Sequence, residues 1–484
     1  MPQDAALAQQ DDLATLSLVE AADALVRGEV TALALTEACT ARIRRHDAAL
    51  NSVIWLDEAA ALEAAAAADR RRARGEALGP LHGVPMAHKD MYYQAGKPCS
   101  CGSAIRRDFR PTYTATLISR LEEAGALTLG GLNMAEFAQN PTGHNRHFGD
   151  CQNPWVRGRI TGGSSSGSGA AVAAGFAFMA LGSDTGGSIR LPASACGVTG
   201  LKPTQTRLSR HGVMPLSFSC DNAGPLTRTA RDCARVMTVM AGHDPKDPTS
   251  AREPVPDYEA ALDGDLRGLR IGVAREWFLE AVDADVLRAF ETALDVLRGR
   301  GAMVVPVELA MMQEVLTYGA VVSRAEAATI HATWMRDRPG DFAAHISGRL
   351  FPGYAVPAAY YLEALSRRGP VLRGFAQAAF GAAFGAVDLL ASPTIPGALP
   401  SLAETDIDSG DPEAISRFGA ISRNTRPFNY LGLPAISIPC GFDDRGAPVG
   451  LQLAGRPFAE ARVMQAADAF QRDTDWHRRR PRLD

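Results

Sequence analysis

The sequence predicts an α/β protein in which helices flank a largely buried, mixed sheet. Short apolar runs bounded by Gly, Pro or polar turns alternate with stretches whose apolar residues recur at helical spacing. This alternation is typical of a sheet covered by helices. The runs interpreted as strands are Val84–Ala87, Leu127–Leu129, Phe176–Leu181, Arg270–Ala274, Ala302–Leu309, Asp388–Ser392, Ala435–Pro439 and Val449–Leu453.

The size and charge of the chain argue against several classes of protein. The 484 residues carry 50 Lys+Arg and 54 Asp+Glu, so the chain lacks the basic surplus of a nucleic-acid binder. The longest apolar stretches, such as Gly169–Leu181, are shorter than the roughly 20 residues that span a bilayer. The first residues lack the basic and apolar regions of a signal peptide. We expect a cytoplasmic globular protein without direct nucleic-acid or membrane contacts.

The cysteines and histidines do not form a recognisable metal motif. The eight cysteines include no CxxC pair, and we expect free thiols in a long chain without a secretory signal. His144 and His147 lie in a Gly/Asn-rich loop, without the companion acid of an HExxH motif. We therefore expect no metal site.

Residues 1–80 are predicted to form an Ala-rich helical segment that packs on the core. Ser17 is a typical N-cap for the helical run that ends at Gly28, and Thr31 is a typical N-cap for the next run. A third helix is expected over about Asp57–Arg74.

Residues 81–484 are predicted to form the main domain. Two stretches, His243–Asp265 and Pro396–Glu413, have the composition of surface loops. Between them lies a mostly helical region, about Met311–Phe384. Its aromatic residues are candidates for a substrate pocket, although aromatic side chains more often serve the core. They are Trp334, Tyr354, Tyr360 and Tyr361.

The segment Gly162–Pro192 differs from the rest of the chain because it contains two Gly/Ser-rich turns. The stretch between the turns predicts a short helix that ends at Gly175, followed by a strand. Consecutive N–H groups in a Gly-rich turn can bind an anion. Ser188, at the end of the second turn, is a candidate nucleophile, because its attack would generate an oxyanion beside those N–H groups.

Lys89 is the candidate base for this serine. It ends a short apolar strand that follows a Gly/Pro turn, and Asp90 comes next. Burial favours the neutral amine of a lysine, and a neutral amine can accept a proton. The structural alternative is an ion pair between Lys89 and Asp90 or another acid.

Several separated stretches resemble the amidase signature family of Ser-Ser-Lys hydrolases. The resemblance implies the amidase signature fold and hydrolysis of a carboxamide, or a related amide or carbamate bond, through an acyl-serine intermediate. It implies a small amide substrate and no cofactor. The matching stretches are GVPMAHKD at 83–90, TGGSSSGSGAAVAAG at 161–175, ALGSDTGGSIRLPASACGVTGLKPT at 180–204, GLPAISIPCGF at 432–442 and PVGLQLAG at 448–455.

The resemblance also implies a role for individual residues. Lys89 would be the base, Ser164 the bridging serine held by a cis peptide bond, and Ser188 the acylated nucleophile. The residues implied to line the oxyanion hole with their N–H groups are Thr185, Gly186, Gly187 and Ser188. The residues implied to support the site are Ser165, Asp184 and Arg190.

Two functions stay open within this family. The first is a stand-alone amidase. The exposed faces of its N-terminal helices are a candidate homodimer interface. The second is the A subunit of a glutamine-dependent tRNA amidotransferase, which releases ammonia from glutamine. In such subunits an acid before the Asn-x-x-Gly-Leu-Pro stretch holds the glutamine amine, whereas Ser422 stands here, near Arg423 and Arg426. Charge complementarity therefore favours the amidase.

Two other motifs match parts of the first Gly/Ser turn. Gly163–Gly167 fits the GxSxG nucleophile elbow of α/β-hydrolases, which would make Ser165 the nucleophile. Gly167–Gly169 before an Ala-rich helix resembles a nucleotide-binding turn. Both motifs require a buried strand directly before the turn, and the preceding residues do not have a strand pattern. We expect neither function.

Overall fold

One mixed sheet passes through the computed structural model, which describes residues 13–381 and 387–483. Within those residues the sheet has eleven strands. They are β1 (Val53–Leu56), β2 (Pro85–Lys89), β3 (Leu127–Leu132), β4 (Met179–Asp184), β5 (Thr199–Lys202), β6 (Asn222–Thr227), β7 (Arg270–Val273), β8 (Met303–Pro306), β9 (Leu389–Pro393), β10 (Ala435–Phe442) and β11 (Pro448–Gly455). Their order is β1-β3-β2-β4-β6-β5-β10-β11-β9-β7-β8.

Helices flank this sheet. They are α1 (Leu18–Arg27), α2 (Ala32–Leu50), α3 (Glu58–Ala73), α4 (Thr116–Glu123), α5 (Ser166–Ala174), α6 (Arg190–Cys196), α7 (Ala230–Met240), α8 (Arg275–Phe278), α9 (Ala284–Gly299), α10 (Met312–Asp337), α11 (Ala344–Tyr354), α12 (Ala358–Phe380), α13 (Pro412–Ala420), α14 (Pro427–Tyr430) and α15 (Glu460–Arg472). The predicted α/β class is confirmed.

Strand direction brings the chemically important residues to one edge of the sheet. Strand β2 runs parallel to β3 and to β4, whereas β4 is antiparallel to β6 and β10 is antiparallel to β11. The carboxyl ends of parallel strands meet at the same edge, where ligands of α/β proteins commonly bind. Lys89 at the end of β2 therefore lies near Asp184 at the end of β4.

All eight apolar runs that the sequence marks as strands overlap a strand in the structure. Three further strands, β1, β5 and β6, are not predicted, although β1 (VIWL) is itself a short apolar run. Residues of β5 (TGLK) and β6 (NAGPLT) include Gly, Pro and polar side chains, yet all of them are buried. Their neighbours in the sheet, and not their own propensity, decide that they are strands.

The N-terminal helices begin and end where their caps predict. Ser17 forms a capping box with Glu20, and Gly28 ends α1 in a left-handed conformation with φ 76°. Thr31 caps α2 by accepting from the N–H of Ala34. The described part of the segment, residues 13–80, also contributes β1, which pairs with β3 in the sheet of the main domain. The domain boundary at residue 80 stays a prediction.

The region about Met311–Phe384 is largely helical, as predicted, through α10, α11 and α12 as far as Phe380; residues 382–386 lie outside the described part. Trp334 of α10 stacks on Phe137 of the sheet-bearing core at 5.3 Å between ring centroids. This contact fixes the helical region to the core.

Three expectations concern thiols, membranes and metals. The eight cysteines are free and buried. No helix in residues 13–381 and 387–483 has the length and apolarity needed to cross a membrane. No group of three or more His, Cys, Asp or Glu residues in the same described ranges has a metal-binding arrangement. His144 instead contacts the Thr142 hydroxyl and the carbonyl oxygen of Leu402.

Candidate active site

Lys89 is fully buried and contacts two hydroxyl groups. Its Nζ donates to Ser164 Oγ at 2.6 Å and to Ser183 Oγ at 2.8 Å. Asp90 instead accepts from the backbone N–H and the hydroxyl of Ser100. The ion pair between Lys89 and Asp90, which was the structural alternative, therefore does not form.

Burial lowers the pKa of Lys89 from 10.5 to about 7, although the negative charges of Asp184 and Asp221 oppose this shift. Desolvation disfavours the ammonium form, so a large share of the amine is neutral near pH 7. A neutral amine can accept a proton from the Ser164 hydroxyl.

The first Gly/Ser turn holds Ser164 between two parts of the core. The peptide bond between Gly163 and Ser164 is cis. The carbonyl oxygen of Ser164 accepts from the N–H of Ala135 at 3.0 Å, and the N–H of Ser165 donates to the carbonyl oxygen of Ser188 at 3.3 Å. This bond joins the two Gly/Ser turns, so Ser164 and Ser188 lie on adjacent backbone segments.

Ser165 connects the same turn to β4. Its hydroxyl donates to the carbonyl oxygen of Ser183, and the N–H of Ser183 approaches the Ser165 hydroxyl, both at 3.3 Å. No strand directly precedes α5, so neither the nucleophile elbow nor the nucleotide-binding turn has its required context in the described chain. Ser165 is fully buried, as a structural serine would be.

A buried ion pair shapes the second turn. Asp184 and Arg190 are both fully buried, and their closest N–O distance is 2.9 Å. Burial alone would raise the pKa of Asp184, but the charge and hydrogen bonds of Arg190 hold it well below its usual range. Arg190 also donates to Gln452 and Asn429 at 2.8 and 2.7 Å. The turn is therefore anchored to both β11 and α14.

The N–H groups of the second turn are used in different ways. The N–H of Gly187 donates to Asp184 Oδ1 at 2.7 Å, so this predicted oxyanion donor already has an acceptor. Within the described ranges the N–H groups of Gly186 and Ser188 have no acceptor. Thr185 is held through its hydroxyl, which donates to Asp221 at 2.6 Å. In the described residues the backbone N–H of Thr185 has no acceptor either, so the predicted oxyanion donors Thr185, Gly186 and Ser188 remain available.

Gly187 has a backbone conformation that requires glycine. Its φ is 135°, and a Cβ atom at this position would collide with the Thr425 hydroxyl oxygen. The Thr425 hydroxyl also donates to the carbonyl oxygen of Gly186 at 2.6 Å. Thr425 therefore holds the turn in addition to Asp184.

A cavity of about 390 Å³ opens on Ser188 and the second turn. One wall comes from the Gly-rich turn with Ser188, and another comes from α10 and α11. None of the four aromatic candidates lines this cavity. Residues of the helical region that do line it are Val315, Leu316, Gly319, Ala320, Ser323, Arg324, Ala327, Gly348, Arg349 and Pro352.

Sequence reasoning did not identify several residues of the site. Ser183, the second partner of Lys89, lies directly before Asp184, but the sequence does not show which strand residue faces β2. Asn429 contacts both Asp184 and Arg190 from 239 or more residues away. Asp221 precedes a strand that has no apolar pattern. Such long-range contacts leave no local signal in a single sequence.

The fold and this site define an enzyme that acts on the C–N bonds of amides. A family model described as Amidase matches residues 34–464. The chain belongs to this family, the amidase signature enzymes, which confirms the resemblance seen in the sequence motifs.

Named relatives span nearly the whole chain. The chain is 44% identical to the A subunit of the glutamyl-tRNA(Gln) amidotransferase of Chloroflexus aggregans, over 98% of this chain and 99% of that relative. Among solved structures, it is similar to a chain from a vestigial protein complex that reveals the evolutionary origins of an s-triazine catabolic enzyme. The TM-score is 0.88 and the identity 34%, over 97% and 100% of the two chains. It is also similar to the peptide amidase of Stenotrophomonas maltophilia, with a TM-score of 0.84 and 32% identity over 97% and 98%.

Proposed function

We propose that the protein hydrolyses a small carboxamide through an acyl-Ser188 intermediate. The observation that carries this proposal is the 2.6 Å contact between the buried Lys89 amine and Ser164, beside a cavity lined by Ser188. A base, a relay hydroxyl and a nucleophile are the groups that acyl transfer requires.

In the proposed mechanism protons move from Ser188 through Ser164 to Lys89 when Ser188 attacks, and they return along the same path when the leaving group departs. Neutral Lys89 takes a proton from Ser164, which takes one from Ser188 as the Ser188 oxygen attacks the amide carbon. The N–H groups of Gly186 and Ser188 stabilise the negative charge on the amide oxygen. Lys89 then returns its proton through Ser164 to the leaving nitrogen, and the C–N bond breaks. Water attacks the acyl-serine by the same relay and regenerates the enzyme.

The remaining predicted site residues have positioning roles in this proposal. Ser165 holds the first turn against β4, and Asp184 with Arg190 shapes the second turn. The N–H of Gly187 donates to Asp184, whereas the N–H groups of Gly186 and Ser188 have no acceptor among the described residues.

A second candidate function is the A subunit of an amidotransferase that releases ammonia from glutamine. The 44% identity to a protein of that name supports this function better than the stand-alone amidase that the sequence analysis favours. In that case a partner subunit would receive the ammonia, and any contact with tRNA would belong to the assembled complex. A cytoplasmic location and a homodimer stay predictions.

One assay separates these functions. The purified protein alone is given glutamine, asparagine and a panel of aliphatic, aryl and carbamoyl amides, and released ammonia or amine is measured. Turnover of a simple amide that disappears in Ser188→Ala supports the stand-alone amidase. Turnover of glutamine alone, increased by a partner subunit, would support the amidotransferase.

Ser164 is tested by a change that leaves the fold intact. Ser164→Ala removes the relay hydroxyl, so we expect acylation to slow by about 10²-fold or more. Thermal unfolding should stay near that of the unchanged protein. Rapid-mixing measurements of the acylation step provide the test, and an unchanged rate would contradict the relay.

A further inference from the structure

Three arginines extend from different elements into the cavity that Ser188 lines. Arg324 comes from α10, Arg349 from α11, and Arg426 from the residue before α14. Within residues 13–381 and 387–483 the side chain of none of them makes an ion pair or a hydrogen bond. Arg349 packs its guanidinium over the Phe418 ring at 5.0 Å. The cavity thus contains cationic groups without a counter-charge from the described residues.

No acidic residue of the described chain lines the cavity. Its other walls are apolar, such as Leu191 and Leu316, or neutral and polar, such as Ser422. Of the three arginines, Arg349 is half-buried and the other two are exposed to solvent. Water therefore solvates these charges, but no acidic residue among the described lining residues neutralises them. The cavity is therefore electrostatically suited to an anion.

The three cations are close enough to influence each other. Burial, together with the charges of Arg426 and Arg324, lowers the pKa of Arg349 to about 10. Partial desolvation and the charge of Arg324 also lower the pKa of Arg426, although this residue keeps an exposed surface. Both arginines remain charged at neutral pH, so the cavity carries a concentrated positive potential.

Arg426 links this charge to the proposed reaction centre. A Cβ atom placed on Gly186 would lie 3.5 Å from Arg426 Cγ, so the stem of this arginine packs against the oxyanion turn. Its neighbour Arg423 differs, because it forms an ion pair with Glu280 and packs over Trp277. The unpaired arginine is thus the one beside the reacting groups.

We propose that the substrate is the amide of an acid that bears at least one further carboxylate and no amino group, with Arg324, Arg349 and Arg426 binding that carboxylate. This inference rests on the proposed function, because it assumes that Ser188 attacks an amide in the same cavity. A guanidinium matches a carboxylate with two parallel hydrogen bonds. The α-amino group of glutamine would add a positive charge to a cavity whose described walls offer it no acid.

Three matched amides test this substrate class. Glutaramate is glutamine without its α-amino group, and pentanamide has a methyl group in place of the glutaramate carboxylate. We expect kcat/KM for glutaramate to exceed the values for glutamine and pentanamide by about tenfold or more. Equal values, or a preference for glutamine or pentanamide, would overturn the proposal.

Charge-removing variants assign the effect to the cavity. Arg324→Gln, Arg349→Gln and Arg426→Gln are compared with Arg423→Gln, the matched control outside the cavity. Each cavity variant should lower kcat/KM for glutaramate by about tenfold more than it lowers kcat/KM for pentanamide. Arg426→Lys should restore part of the loss. A uniform effect on both amides, or an equal effect of the control, would contradict a carboxylate site.

Binding without catalysis separates this inference from the proposed function. Glutarate binding to Ser188→Ala is measured by calorimetry, alone and with each arginine variant. Glutarate binding that is lost in the arginine variants supports the anion site. If glutarate binds in this way but no amide is hydrolysed, the proposed function is wrong and the anion site still stands. Absence of glutarate binding to both the unchanged protein and Ser188→Ala would overturn the anion site.

Discussion

At the scale of single residues, contact distinguishes the candidate base from another buried lysine. Lys89 and Lys202 are both fully buried, and burial lowers the pKa of each from 10.5 to about 7. Lys202 donates to the carbonyl oxygen of Pro203, whereas Lys89 contacts the hydroxyls of Ser164 and Ser183. A lowered pKa makes an amine available as a base, but only a hydroxyl partner gives it a proton to take.

Lys89→Ala should lower kcat/KM by about 10²–10⁴-fold, because general-base catalysis contributes on this scale. The control is Lys202→Met, which removes a lysine of similar burial that does not contact Ser164. Steady-state kinetics on the best amide, with circular dichroism to confirm folding, provides the measurement. Near-normal activity of Lys89→Ala at neutral pH would exclude this lysine as the base.

The pH dependence follows from the same lysine. Lys89 accepts a proton only as the neutral amine, so kcat/KM should rise as pH increases through about 7 and level off above it. The measurement is a profile of kcat/KM between about pH 5 and 9, a range that brackets this pKa. A profile that falls across this range would contradict a neutral-amine base.

At the scale of elements, the second Gly/Ser turn depends on one carboxylate. Asp184 accepts from the N–H groups of Gly187 and Ile189 and pairs with Arg190 at the start of α6. The carboxylate thus joins the end of β4 to the beginning of α6. The conformation of the turn, and with it the direction of the free N–H groups, follows from this connection.

Asp184→Asn should decrease the free energy of unfolding by about 3–5 kcal/mol, because it leaves the buried Arg190 without its counter-charge. The control is Asp265→Asn, which breaks a pair with Arg267 that lies at the surface, where solvent screens such pairs and they contribute little to stability. Urea denaturation followed by fluorescence gives both values. Similar decreases in the free energy of unfolding for the two variants would show that the buried Asp184–Arg190 pair contributes no more to stability than the exposed pair.

At the scale of the whole molecule, the N-terminal segment contributes to the core that supports the site. Leu18, Leu35 and Leu50 are fully buried in the same hydrophobic cluster as the residues of β2 and β4. Trp55 of β1 donates through its Nε1 to Asp90 at 3.2 Å, next to Lys89. We therefore propose that the N-terminal segment, described from residue 13 to residue 80, packs on the main domain as an integral part of it.

A chain that begins at residue 81 should fail to give a folded, active protein. It would lack β1 and the helices that cover the apolar face of β2 and β3, and exposed apolar surface of this size favours aggregation. Solubility, circular dichroism and amide turnover are compared with those of the full chain. An active, soluble protein without residues 1–80 would show that the segment is a separate, dispensable unit.

The sequence predicts more of the fold than of the site geometry. Apolar runs mark eight strands because these runs are buried in the sheet, but β5 and β6 are missed because their burial comes from neighbouring strands. Family motifs nominate Lys89, Ser164 and Ser188. They do not show that the N–H of Gly187 is already occupied by Asp184, since that depends on the folded turn.

Sequence alone determined the α/β class, the caps of the first helices and the Gly/Ser turns, because these features depend on residues that are close together in the chain. Tertiary structure decided which groups meet. It places Lys89 against Ser164, 75 residues away, and brings Arg324, Arg349 and Arg426 from separate elements into one cavity whose described walls hold no acid. Such contacts arise from the packing of distant segments, and charge balance in a cavity exists only once its walls are assembled.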